Sequence, residues 1–140
     1  MTFVCRTGCA RRWVGDIIAR VVSRLRLRQP PTKHTVVELV VRGPIGRWFT
    51  RRRWSGFTLP LPFVTVIFYW NTIAPSPYTR VHEFVHVAQD EANAVFLVTW
   101  VKYLAELARH GYRRNRYEVA AYRVEDDARE TGLPEWARPD

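Results

Sequence analysis

The sequence predicts an α+β fold in which a small sheet precedes a run of helices. Two observations carry this. Thr35 to Arg42 and Val64 to Trp70 are β-branched and aromatic runs of strand length, bounded by Gly43-Pro44 and by the Pro75-Ser76-Pro77 break. Beyond residue 79, apolar residues recur at helical spacing through Val81, Phe84 and Val87, then through Phe96, Leu97, Trp100, Val101, Leu104 and Leu107. With 140 residues, 47 % of them hydrophobic, the chain has room for one core.

Taken in order, the first element is a helix over Arg11 to Arg28. Trp13, Val14, Ile17, Ile18, Val21, Val22 and Leu25 form its apolar stripe, and Arg12, Arg20, Arg24 and Arg28 occupy other faces. Two readings stand for this basic amphipathic segment. Its stripe packs on the rest of the chain, or the helix lies on an anionic membrane surface or in a partner's groove. Nucleic acid ranks below both. Pro30-Pro31 reads as a linker, dividing a basic extension, residues 1–31, from a domain over residues 32–140. Charge supports the division. Residues 1–60 hold thirteen Lys or Arg against Asp16 and Glu38, whereas residues 61–140 hold nine basic and eleven acidic residues.

Thr35 to Arg42 is the next element, a strand. Arg47 to Phe57, with Arg51-Arg52-Arg53 among aromatics, reads as a loop or an exposed hairpin edge. Val64 to Trp70 is the strongest strand signal. Thr79 is the expected cap of the following helix, Asp90 to Ala94 a break, and His110-Gly111 the end of a packing helix. Tyr117 to Arg129 is the last helix, stopped by Gly132 and Pro134. Leu59–Trp70 and Ala92–Val101 are too short or too interrupted to span a bilayer. No secretory signal is evident, and Cys5 and Cys9 read as free thiols of an intracellular chain. The expected location is the cytoplasm, with peripheral membrane attachment through residues 11–28 as an option.

Residues 82–86 read His-Glu-Phe-Val-His. Two histidines four apart share one helix face, so both imidazoles can bind one metal ion. Glu83 stands at the edge of that face. Zinc lowers the pKa of a bound water towards about 7, and a neighbouring carboxylate can take its proton. The alternative is a polar stripe on a surface helix, but Val81, Phe84, Val85, Val87 and Ala88 favour a buried segment.

A catalytic zinc needs three protein ligands and an open position. A third histidine six residues after His86 is absent, since residue 92 is Ala92, and Gln89 replaces the glycine of that pattern. Downstream, Asn115-Arg116-Tyr117-Glu118-Val119-Ala120-Ala121-Tyr122 offers Glu118 on a helix whose small residues permit close approach. Glu106, Asp126 and Asp127 are the rivals for this position.

With these two segments the chain resembles the gluzincin zinc metallopeptidases, in particular their smallest members, over roughly residues 57–128. The resemblance implies a zincin-like fold, with His82, His86 and Glu118 as zinc ligands and Glu83 as general base. It also implies that the strand before the motif helix edges the cleft and pairs with extended substrate. The residue reading leaves an interior strand equally open. Larger gluzincins often carry an aspartate four residues after the ligand glutamate, and here that position is Tyr122. Tyr122 is the first candidate to stabilise an oxyanion, followed by Tyr103, His110 and Arg123. Gln89, one turn past His86, can bond a ligand or substrate.

The leading function is therefore a zinc-dependent peptidase acting on a peptide or protein. The alternatives are a zinc-binding interaction domain without turnover, and a basic adaptor docked through residues 11–28 on a membrane or nucleic acid.

Overall fold

The structure is a computed structural model that describes residues 22–71, 75–93 and 95–138. It is an α+β arrangement of one mixed four-stranded sheet and four helices. The strands are β1 (Val22–Leu25), β2 (Thr35–Val41), β3 (Gly56–Pro60) and β4 (Val64–Trp70), in the order β1-β2-β4-β3. Pairing is parallel between β2 and β4 and antiparallel for β1/β2 and β3/β4. The helices are α1 (Gly43–Arg51), α2 (Pro77–Glu91), α3 (Phe96–His110) and α4 (Arg116–Thr131).

The helix expected over Arg11 to Arg28 fails at its described end. Val22–Leu25 pair with Glu38–Val41, adding an edge strand to the sheet. A strand satisfies its backbone on β2 at once, whereas a helix there needs a groove for its stripe. Residues 11–21, Cys5 and Cys9 lie outside the described residues.

Side chains on β2 and β4 alternate with period two. Val36, Glu38 and Val40 face the same side as Thr65, Ile67 and Tyr69, and this side is buried under Phe84 and Val87 of α2 and under Trp136. Glu38 is the polar residue in that row. Arg80 of α2 meets it with two bonds, Nε to Oε2 and Nη2 to Oε1, both 2.9 Å. Tyr69 Oη donates to Oε2 at 2.9 Å and Gln29 Nε2 to Oε1 at 3.0 Å. A buried ion pair tolerates burial only when its remaining valences are met, and here they are. Arg80 also donates to the Arg28 carbonyl, so residues before the Pro30-Pro31 linker are tied to α2.

The stretch read as a loop or hairpin edge is instead helix α1 followed by β3. Pro44 sits in the first turn, where its missing N–H costs nothing. Phe49 stacks on Trp70 with centroids 4.1 Å apart, so α1 covers the second face of the sheet. Gly46 permits this closeness, because a Cβ there would strike the Val41 carbonyl. β4 is thereby interior, hydrogen-bonded on both sides, and β1 and β3 are the outer strands of the described sheet. The substrate-pairing edge expected of Val64–Trp70 is thus corrected.

Pro77 opens α2 after Ser76, one turn ahead of the expected Thr79 cap. Asn93 bonds back to the Gln89 carbonyl at 2.9 Å where α2 ends. Gly111, at φ 72°, stops α3. Asn115 caps α4, its side chain accepting from the Tyr117 amide at 3.0 Å. The small, buried Ala121 and Ala128 let α4 lie close to its neighbours. Among the described residues, no helix is long and apolar enough to cross a membrane.

Candidate metal centre

His82 and His86 lie one turn apart on α2, and Glu118 reaches them from the first turn of α4. His82 Nε2 is 3.4 Å from Glu118 Oε2, and His86 Nε2 is 3.5 Å from Glu118 Oε1. One donor atom from each residue falls within a 4.8 Å group. A tetrahedral ion with bonds of about 2.0–2.1 Å holds its ligand atoms about 3.3–3.4 Å apart, so the two His–Glu118 distances are compatible with a metal ion while the group as a whole is wider. Direct hydrogen bonding explains these two distances less well. Glu118 Oε2 is buried without a hydrogen-bond partner although His82 Nε2 is near.

Charge points the same way. Glu83, Glu118 and Glu125 surround two imidazoles. Burial alone would lower the His82 pKa, but Glu118, Glu83 and Glu125 outweigh it and hold it above the ordinary histidine value. Burial would likewise raise the Glu118 carboxyl, yet His82, His86, Tyr103 and Tyr112 bring it below the usual value. This group of carboxylates favours a positive charge between them, which a protonated His82 or a metal ion held by His82, His86 and Glu118 would supply.

The histidine tautomer follows from the surroundings. Gln89 Nε2 donates to the Tyr117 carbonyl at 3.0 Å, which fixes the amide because a carbonyl only accepts. Gln89 Oε1 then faces His86 Nδ1 at 2.9 Å, so Nδ1 carries the proton and Nε2 has the free lone pair. Gln89 thus bonds His86, one of the residues expected to be a ligand. On His82, Glu125 Oε2 lies 3.2 Å from Nδ1, close enough to attract but out of line for a hydrogen bond.

Glu83 stands outside the His82–His86–Glu118 group, against Thr58 of β3, and lines the same cavity. Its Oε2 accepts from Thr58 Oγ1 at 2.7 Å. Gly56 leaves room for the carboxylate, since a Cβ there would collide with Glu83. Burial pushes the Glu83 carboxyl above its ordinary value, which makes it a better base near neutrality.

Tyr103, expected among the looser oxyanion candidates, donates to Glu118 Oε1 at 2.7 Å. Burial and Glu118 raise its hydroxyl well above the usual tyrosine pKa, so it remains a donor. Tyr122 sets its ring edge-on to His82, centroids 4.6 Å apart, and lines the cavity. His110 pairs with Glu106 at 4.0 Å, which Arg116 also approaches at 3.8 Å, and Arg123 is exposed. Asp126 and Asp127 are exposed too, and neither they nor Glu106 join the His82–His86–Glu118 group.

Sequence reasoning missed Glu125, Thr58, Gly56 and Asn115. Asn115 links α3 to α4, its Nδ2 reaching the Tyr103 carbonyl at 3.3 Å. Glu125 had a signal, lying seven residues past Glu118 and so on nearly the same helix face. The β3 residues had none, because their approach depends on the path through α1.

His82, Glu83, His86 and Glu118 open into a cavity of about 530 Å³, lined further by Phe57, Trp100, Tyr103, Leu104 and Tyr122. Its walls are mostly aromatic and aliphatic, and its polar groups converge on the histidines, as in small-molecule and peptide sites. No protein-family model, no curated protein and no solved structure matches the chain.

Proposed function

We propose that the protein is a zinc-dependent peptidase with a zincin-like site. The observation that carries this reading is the placement of Glu83. It lines the same cavity as the His82, His86 and Glu118 group, stands outside that group, and is bonded to Thr58. Zinc held by His82, His86 and Glu118 would supply a Lewis acid that polarises a carbonyl and lowers the pKa of a bound water towards about 7.

The remaining work falls to the chain's own side chains. Glu83 takes a proton at its carboxylate and returns it to the leaving amine. Thr58 and Gly56 keep that carboxylate in place. Gln89 and Glu125 orient the two imidazoles, and Tyr103 holds Glu118. Tyr122, at the cavity wall, stabilises negative charge on the carbonyl oxygen. The free edge of β3 lies beside Glu83 and can add an extended peptide as a further strand. The resemblance to small gluzincins implies the same roles for His82, His86 and Glu118 as ligands and for Glu83 as base.

The test is a comparison of Glu83→Gln with the parent on a mixture of fluorogenic peptides. The variant should keep its metal and lose hydrolysis by about a hundredfold or more. Equal turnover by both would exclude Glu83 as the base, and turnover by neither would leave a metal-binding domain without this activity.

A further inference from the structure

Two exposed stretches flank the cavity mouth, and the site uses neither. On one side, α1 and the turn after it present Ile45, Trp48 and Trp54 among Arg47, Arg51, Arg52 and Arg53. On the other, α3 carries Leu97, Val101 and Leu104 at helical spacing, with Val101 66 % exposed. Trp54 and Leu104 both line the cavity and remain 48 % and 50 % exposed, so the two stretches come together at its rim. The apolar periodicity of α3 suggested a helix packed on all of its stripe. Trp100, Tyr103, Leu104 and Leu107 line the cavity, whereas Leu97 and Val101 do not.

The chemistry of the rim selects its occupant. The chain has no acidic residue between Glu38 and Glu83, so the α1 side is uniformly basic. The Arg52 guanidinium lies 4.3 Å over the Trp48 ring. Arginine with tryptophan beside bare aliphatic side chains is the composition of a surface that meets lipid. Indoles sit at headgroup depth, arginines take anionic headgroups, and aliphatic groups reach the acyl boundary. Arginine and tryptophan also suit single-stranded nucleic acid, through stacking. Ile45, Leu97, Val101 and Leu104 have no face on which a base can stack, and they favour acyl chains. A second copy of the chain would set arginine clusters against each other.

We propose that this rim docks on an anionic lipid bilayer, so that the cavity opens at the membrane surface. Substrate would then reach the site from a segment emerging beside lipid. The docking surface contains none of His82, Glu83, His86 or Glu118 and does not depend on the peptidase reading. Its failure and the failure of that reading are separable, because vesicle binding is measured without turnover.

The experiment is co-sedimentation of the full chain with vesicles of phosphatidylcholine alone and of phosphatidylcholine with phosphatidylglycerol in equal parts. The parent should bind only the anionic vesicles, and less as salt shortens the Debye length below about 8 Å. The triple change Arg51→Gln, Arg52→Gln, Arg53→Gln should weaken binding about a hundredfold. Val101→Asp should weaken it about tenfold with no change in melting temperature, since the residue is exposed. Should Val101→Asp fold poorly, Trp48→Ser takes its place with the same expectation. No binding by the parent would overturn the proposal. So would undiminished binding by the folded variants, which would place attachment elsewhere in the chain. A variant set that loses binding to an oligothymidine but keeps vesicle binding would assign the rim to nucleic acid instead.

Discussion

Glu125 Oε2 stands 3.2 Å from His82 Nδ1, two helical turns beyond Glu118 on the same helix. The position four residues after Glu118, where the resembling family's larger members carry an aspartate, holds Tyr122, whose ring lies edge-on to His82. Glu125 is the α4 carboxylate nearest to the outer nitrogen of this imidazole. With Nε2 given to a metal, Nδ1 carries the proton, and Glu125 is placed to attract it.

Glu125→Gln should consequently lower zinc affinity about tenfold to a hundredfold, measured by competition with a chromogenic chelator. Arg129 loses its 2.6 Å pair with Glu125 as well, but that contact is exposed and contributes little to stability. Unchanged affinity would show that Glu125 does not orient the ligand.

The Arg80–Glu38 pair predicts an asymmetry. Arg80→Met alone leaves Glu38 buried and charged, and should cost about 3–5 kcal/mol in urea unfolding. Adding Glu38→Leu removes the stranded charge, so the double variant should recover most of that loss. Additive losses would mean that the two side chains act independently.

Asp90 supplies a pH dependence. It is buried, its Oδ1 has no hydrogen-bond partner, and burial holds its carboxyl above the ordinary aspartate value. A carboxyl whose folded pKa is raised favours folding while protonated, and that contribution is lost as pH rises through the folded value. Asp90→Asn should thus raise the melting temperature at neutral pH, the gain shrinking as pH falls from the raised folded value to the ordinary aspartate value. A gain that grew towards acid pH would contradict the assignment.

Much of the centre was legible because its spacing is local. His82 and His86 four apart, with Glu83 between them, need only a helix to become a site. Glu118 was legible through the small residues that follow it. The supports were not. Thr58 and Gly56 reach Glu83 only because α1 folds over the sheet, and Arg51-Arg52-Arg53 hid that helix behind the look of a loop. Glu38 interrupts an apolar strand, and nothing nearby in sequence announces Arg80, 42 residues on. β1 is only Val22–Leu25, too short a run to outweigh the helical spacing that passes through it. Because Val22–Leu25 and the Arg28 carbonyl are tied to the fold, removing residues 1–31 would take an edge strand with it.

Metal content of the purified full chain, by mass spectrometry of zinc per protein, bears most directly on the His82–His86–Glu118 centre. The parent and Glu83→Gln should each carry about one zinc, whereas His86→Ala and Glu118→Ala should carry almost none. Full occupancy in His86→Ala, or a parent that takes up no zinc when it is supplied, would contradict the account.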